Sequence, residues 1–285
     1  MTYHNAGTVF VESRVVDNKF RRILLTGAAG GLGRVLRDTL KPMARILRVS
    51  DIQALGEAGP AEELRPCDLS DRRAVSDLVR GCDAIVHMGG VSVERPFEEI
   101  LEANIKGIFH IYEAAREHGA RRVIFASSNH AIGFYRQTDR LDASMPTRPD
   151  SYYGLSKVYG EAMASFYHDR YGIETLSIRI GSCFPEPKDR RMMHIWLSAR
   201  DLTELIRRGL FTPDIGHTII FGMSDNKEVW WDNRMAAHLG FQPRDTSEVY
   251  RDKIERQPMP AADDPTRVYQ GGAFTAQGPF EPVRK

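Results

Sequence analysis

The sequence predicts a doubly wound α/β fold, a parallel sheet with helices on both faces, followed by a small C-terminal cap. Three observations point there. Short β-rich apolar runs alternate with helix-period segments through the first two-thirds of the chain. A glycine-rich turn joins the first of these runs to an amphipathic helix. The pattern then changes after Gly181, where Pro185 and Pro187 break the chain. Right-handed crossovers between parallel strands put ligands at the carboxyl ends of the strands.

Taken in order, residues 21–26 (RRILLT) read as a buried strand, and residues 32–40 place Leu32, Val35, Leu36 and Leu40 on one helical stripe. Residues 46–49 form a second strand that runs straight into Asp51. Residues 64–67 are a weak third strand, and Asp71 caps a helix that continues to Arg80. Residues 84–88 (AIVHM) are a fourth strand, 97–118 a long helix and 122–126 (RVIFA) a fifth strand. A second long helix spans 151–171 and a sixth strand 175–180. Beyond the change of pattern, 198–209 is a helix, 217–221 a strand and 249–256 a charged helix, and the tail from Pro258 is extended. The division expected is an N-terminal extension over 1–19, poorly ordered, a sheet domain over 20–181, and a cap with tail over 182–285.

Composition excludes several function classes. The 285 residues carry 39 Lys+Arg against 38 Asp+Glu, a formal charge of +1, which argues against a general binder of nucleic acid or membrane surfaces. No run approaches the roughly 18 apolar residues of a membrane span. Cys67, Cys82 and Cys183 have neither the number for a disulfide framework nor the spacing of a metal site. The first twenty residues lack a basic start, an apolar core and a small-residue cleavage site, so a reduced cytoplasmic setting is expected.

The turn after the first strand reads Gly27-Ala28-Ala29-Gly30-Gly31-Leu32-Gly33, with glycines spaced G-x-x-G-x-x-G. Such a turn lets backbone approach a pyrophosphate while a helix N-terminus faces it with free N–H groups. Asp51 lies 18 residues beyond Gly33, at the end of the second strand. A carboxylate there binds ribose hydroxyls and repels a 2′-phosphate, which favours NAD over NADP. The alternative for Asp51 is an ordinary turn or helix cap. On the cofactor reading, residues 20–181 form an NAD-binding Rossmann domain.

Tyr153 and Lys157 stand four apart near the start of a helix, on one face. A free phenol has a pKa of about 10, and a neighbouring ammonium would stabilise the phenolate and make Tyr153 a base. Tyr152 has Ser156, not a lysine, at the same offset. A Tyr-x-x-x-Lys pair is by itself common on protein surfaces. Here the fifth strand also ends in Ser127-Ser128-Asn129-His130, at the sheet edge where the cofactor would lie. A serine there can hydrogen-bond the reacting oxygen, and His130 follows at the same strand mouth. His87 reads as a packed residue.

Glycine turn, Asp51, strand-end serine and YxxxK in this order resemble the extended short-chain dehydrogenase/reductase family. The resemblance implies that Ser128, Tyr153 and Lys157 are the catalytic set. It implies that Asp68 and Leu69 contact the adenine, that Met88, Gly89 and Gly90 line the cofactor, and that Asn104, in Asn-x-x-Gly, is a helix-breaking structural Asn. Within that family, HMGGVSVERPFEEILEANI, FASSNHAIGFYRQTDRLD, RIGSCFPEPKDRRMMHIWLS and VYQGGAF are similar to NAD-dependent uronate dehydrogenases. Residues 1–19 depart from that pattern as an addition, and Gly31 departs where some relatives carry a polar residue. This resemblance implies oxidation of C1 of D-galacturonate or D-glucuronate to the aldarolactone, with NAD as acceptor. It places the substrate carboxylate on Arg191, with Arg190 as the alternative, and the sugar hydroxyls on Ser92, Asn129, His130 and Ser182. It also implies self-association into a homo-oligomer.

Two rival readings stay open on sequence. One is an NDP-sugar epimerase or dehydratase of the same superfamily, which usually needs more than the hundred or so residues after Gly181. The other is a non-catalytic NAD-sensing regulator, which need not keep Ser128, Tyr153 and Lys157 together.

Overall fold

The computed structural model describes residues 19–278. The expectation of a poorly ordered extension therefore falls almost wholly outside the described residues. Seven parallel strands form the main sheet. They are β1 (Phe20–Thr26), β2 (Ala44–Ser50), β3 (Glu62–Leu64), β4 (Ala84–His87), β5 (Arg122–Ser128), β7 (Glu174–Ile180) and β8 (His217–Gly222), in the spatial order β3-β2-β1-β4-β5-β7-β8. Two short parallel strands outside it, β6 (Leu141–Asp142) and β9 (Trp231–Asp232), pair with each other. The chain winds outward in one direction through β2 and β3 and in the other from β4. The order thus reverses between β1 and β4, and the crevice at their carboxyl ends is where such sheets take ligands.

Alternation along β1 assigns the two faces. Ile23 and Leu25 pack beneath helices α1 (Gly31–Thr39) and α7 (Ala199–Phe211), with Leu36, Leu202, Leu205 and Ile206. Leu24 points the other way, toward α2 (Arg72–Val79), α4 (Gly107–His118) and α5 (Tyr152–Tyr171), among Val75, Ile111, Tyr112 and Tyr167. Asp71 caps α2 by accepting from the Arg73 and Ala74 N–H groups, as the sequence indicated. A third cluster of Tyr135, Leu141, Ile195, Phe221, Trp230 and Trp231 supports the C-terminal part.

Three expectations are corrected. The third strand lies at Glu62–Leu64 rather than 64–67, because its two glutamates face arginines, Glu62 with Arg37 and Glu63 with Arg48. The long helix over 97–118 is interrupted: α3 (Phe97–Ile100) passes through a π-helical turn, Leu101–Lys106, before α4. The side chain of Asn104 in that turn donates to the Val91 carbonyl and accepts from the Val91 N–H. Third, the division at residue 181 does not coincide with a break in packing. Strand β8 pairs with β7 along its whole length, and α7 covers the sheet beside α1. Among the elements that stand apart from the sheet are α6 (Arg190–Ile195), α8 (Arg251–Glu255) and α9 (Pro265–Val268), as well as β6 and β9. No helix among the described residues is long and apolar enough to cross a membrane.

Candidate active site

A cavity of about 1360 Å³ runs along the carboxyl edge of the sheet from β2 to α6. Every residue that the sequence reading assigned to catalysis, cofactor or sugar lines it, except Arg190, the alternative to Arg191. At one end are Gly27, Gly30, Gly31, Leu32, Gly33, Asp51, Asp68, Leu69, Met88, Gly89 and Gly90. At the other are Ser92, Ser128, Asn129, His130, Tyr153, Lys157, Ser182 and Arg191.

The glycine turn is built for close approach. Gly27 sits at φ +70°, and a Cβ there would come within 2.7 Å of the Met88 carbonyl and the Gly89 nitrogen. A Cβ on Gly33 would strike the Gly27 oxygen at 2.0 Å, so α1 can pack against the turn only with glycine at that position. Gly31 has open space around its Cα, so its side of the turn is not fixed by packing. Helix α1 has Gly30 at its N-cap, with no capping side chain and no acid in its first turn. Its leading N–H groups are thus left for an anion. Asp51 accepts from the Ala29 N–H at 2.9 Å through one oxygen and from the Gln53 N–H at 2.9 Å through the other. It therefore caps the turn while also lining the cavity. Asp68 likewise caps its own turn through the Ser70 N–H, and Leu69 packs where a Cβ on Gly89 would fall. Glycine cradle, uncapped helix end and a carboxylate on the cavity wall together fit a dinucleotide such as NAD.

In the other half, Ser151 caps α5 through the Gly154 N–H, and Glu94 accepts from the N–H groups of both Tyr152 and Tyr153. Gly154 and Gly160 let the helix lie close against the His130 carbonyl and the Phe125 ring. This docking turns Tyr153 inward at 8% exposure and leaves Tyr152 outside at 42%. Lys157 donates to the Ala126 carbonyl at 2.8 Å, and its Nζ lies 5.2 Å from the centroid of the Tyr153 ring. Ser127 is drawn off to Glu161 at 2.6 Å, itself paired with Arg179. Ser128 stays beside Tyr153 and accepts from the His130 N–H at 3.2 Å. His87 is packed, with Nδ1 2.8 Å from the Thr26 hydroxyl, and burial together with the Lys157 charge holds its pKa down at about 3.

Burial pushes the Tyr153 hydroxyl up to about 12, although its hydrogen bond with Ser128 pulls the other way, and burial pushes Lys157 down to about 8. Desolvation in this narrow site thus opposes the charged form of both groups.

The KDRR loop resolves cleanly between its two arginines. Arg190 turns to the carbonyls of Glu255 and Gln257. Arg191 enters the cavity, where Nη1 donates to the Gln270 carbonyl at 2.8 Å. It forms no ion pair among the described residues, and burial lowers its pKa against the opposing charges of Asp189 and Asp150. Ser182 is held by backbone bonds to the segment Ile195–Leu197, and Asn129 donates to the Gln270 carbonyl at 3.5 Å. Four residues at this end escaped the sequence reading: Glu94, Asp150, Gln270 and Phe274. The paired glycines after Gln270 were a usable signal, since VYQGGAF stood out by resemblance. Glu94 lay inside a segment marked by resemblance and Asp150 just before the α5 helix, with no further signal of their own.

Residues 23–205 match the NAD dependent epimerase/dehydratase family. The chain belongs to that family. A uronate dehydrogenase of Pseudomonas syringae pv. tomato is 68% identical over 269 residues, covering 94% of this chain and 98% of its own. Among solved structures, a glucuronic acid dehydrogenase from Chromohalobacter salexigens superposes with a TM-score of 0.89 at 53% identity, covering 91% of this chain and 98% of that one. A variant uronate dehydrogenase from Agrobacterium tumefaciens complexed with NAD has a TM-score of 0.89 at 49% identity, covering 92% and 99%. As a family member, this chain uses NAD.

Proposed function

We propose that the chain is an NAD-dependent uronate dehydrogenase that oxidises C1 of D-galacturonate or D-glucuronate to the aldarolactone. The observation that carries this reading is Arg191, a part-buried guanidinium with no carboxylate partner among the described residues, in the same cavity as Ser128, Tyr153 and Lys157. A guanidinium offers a carboxylate two parallel hydrogen bonds. Identity of 68% to a uronate dehydrogenase supports the same activity.

Bound NAD supplies the hydride acceptor. The remaining work falls to the chain. Arg191 holds the substrate carboxylate, and Ser92, Asn129, His130 and Ser182 surround the ring hydroxyls. Ser128 orients the anomeric oxygen, and Tyr153, once ionised to the phenolate beside Lys157, accepts its proton as C1 becomes the lactone carbonyl. Lys157, fixed by the Ala126 carbonyl, keeps positive charge beside the phenol. The glycine turn, Asp51, Asp68, Leu69 and residues 88–90 hold the cofactor. On this reading residues 20–181 supply most of the cofactor half, and residues 182–285 complete the sugar half.

Self-association and a cytoplasmic location belong to the same proposal. Tyr152, Leu155 and Phe166 are 42%, 47% and 49% exposed along the outer side of α5, a stripe that a second copy would cover. Sedimentation of Leu155→Glu against the parent chain tests it, and an unchanged mass would remove this surface from consideration. For location, the three cysteines are free, and cell fractionation is the check. The activity itself is tested by NADH formation with galacturonate, glucuronate and neutral aldohexoses, with the first product followed by NMR. Uronates should be strongly preferred and the first product should be a lactone. Equal turnover of neutral aldohexoses would overturn the reading.

A further inference from the structure

One buried acid in the sugar half has no part in the chemistry just described. The side chain of Asp150 is fully buried. Its Oδ2 lies 2.7 Å from His130 Nδ1, and its Oδ1 accepts from the Ser151 hydroxyl at 2.7 Å. Backbone from three separate segments walls it in. A Cβ on Gly133 or on Gly271 would come within 1.8 Å of Oδ2, and one on Gly154 within 3.2 Å of Oδ1. These segments are also tied together, Asp150 N–H to the His130 carbonyl at 3.3 Å and Gly271 N–H to the Gly133 carbonyl at 2.9 Å. The carboxylate has little room to move and none for a longer side chain.

The His130 ring is held as firmly. Phe274 stacks on it with centroids 3.8 Å apart, and Tyr153 meets it edge-on at 5.7 Å. With the ring plane set by two aromatics and Nδ1 set by Asp150, Nε2 has no hydrogen-bond partner among the described residues, and the ring lines the cavity. An ionised carboxylate accepts hydrogen bonds and cannot donate them, so the proton of this bond belongs to Nδ1. In a neutral ring Nε2 then carries a lone pair. The same logic makes a carboxylate the usual orienter of histidines that must present one particular nitrogen.

We propose that Asp150 is a positioning residue that locks His130 as the Nδ1–H tautomer, so that Nε2 is an acceptor reserved for one hydroxyl of the sugar. His130 then reads the hydroxyl pattern of the ring, while Arg191 reads its carboxylate. The sugar part of this inference rests on the uronate dehydrogenase reading; the tautomer does not.

The test uses the full chain labelled with ¹⁵N-histidine, the His130 signals being assigned by their loss in His130→Gln. Wild type should show a protonated Nδ1 and a bare Nε2 near neutral pH. In Asp150→Asn that preference should vanish or reverse, because an amide can donate to Nδ1. Kinetically, Asp150→Asn should raise KM for the uronate about tenfold, the scale of one lost hydrogen bond, with the dissociation constant of NAD unchanged. Uronates lacking a single ring hydroxyl identify the group read: the penalty for one of them should be present in wild type and shrink in Asp150→Asn. A wild-type ring protonated at Nε2, alone or at both nitrogens, overturns the proposal, and so does an Asp150→Asn that weakens NAD and sugar alike. If Asp150→Asn does not fold, the wild-type spectrum still decides. If no uronate is oxidised at all, the function fails while the tautomer is still read.

Discussion

Replacing Arg191 with alanine should remove recognition of the substrate carboxylate while sparing the cofactor. The guanidinium spends one hydrogen bond, from Nη1, on the Gln270 carbonyl, and its remaining N–H groups have no partner among the described residues. A carboxylate bound there would be largely desolvated, and removing the cation would leave it buried and unpaired. Truncating one partner of such a pair costs about 2–5 kcal/mol. At about 1.36 kcal/mol per factor of ten, that is a loss of roughly 30- to 5000-fold in kcat/KM for glucuronate and galacturonate. Arg191→Lys should recover part of it, because an ammonium lacks the planar fork. The assay compares kcat/KM for a uronate and for the corresponding neutral aldohexose in each variant, alongside the NAD dissociation constant. The neutral sugar should be poor in wild type and should hardly change. Equal proportional losses for acid and neutral sugar would mean that Arg191 merely supports the loop through Gln270, and the reasoning would be refuted.

Other outcomes follow from the same geometry. Tyr153→Phe should lower turnover roughly 100-fold or more, as expected for loss of a general base, with NAD titration unchanged; near-normal turnover would remove Tyr153 from the chemistry. Asp51→Asn keeps an acceptor for the turn but removes the charge, so the preference for NAD over NADP should narrow in paired kcat/KM measurements. A wild-type chain that uses both cofactors equally would contradict the role given to that carboxylate. Lys157 has a folded pKa of about 8, below its ordinary value, so its burial opposes folding most fully below pH 8. That cost is relieved as pH rises from about 8 toward the unfolded value of about 10.4. In urea unfolding without cofactor, inactive Lys157→Met should therefore be at least as stable as wild type at pH 7. Its advantage should shrink at pH 9, and an advantage that grows with pH would have the wrong sign.

What was legible in the sequence was local. β1, β4 and β5 are apolar runs whose alternate residues fill opposite layers, so composition alone finds them. β3 was misplaced because an edge strand of Glu62, Glu63 and Leu64 owes its position to ion pairs with Arg37 and Arg48, partners far away in sequence. The break around Asn104 was signalled only by resemblance, as the helix-breaking Asn, since the Val91 backbone that its side chain holds is not its helical neighbour. In the cavity, motifs confined to one turn or one helix were readable: the glycines, Asp51, Tyr153 with Lys157. Choosing Arg191 over Arg190, or Ser128 over Ser127, required resemblance, because adjacent identical residues differ only in which distant group claims the other one. Glu94 reaches the N–H groups of Tyr152 and Tyr153, and Asp150 reaches His130, across the chain, and neither left a pattern to read.

The Gln270 carbonyl receives both Asn129 and Arg191, and four residues later Phe274 covers His130. The wall of the sugar pocket is therefore contributed by a segment that follows every strand in the sequence, whereas the glycine turn, Asp51 and the β4 turn all lie in its first third. A single cleavage between β9 (Trp231–Asp232) and Gln270 would cut that wall away and leave every strand whole. Such a cleaved protein should still titrate with NAD while oxidation of a uronate is lost.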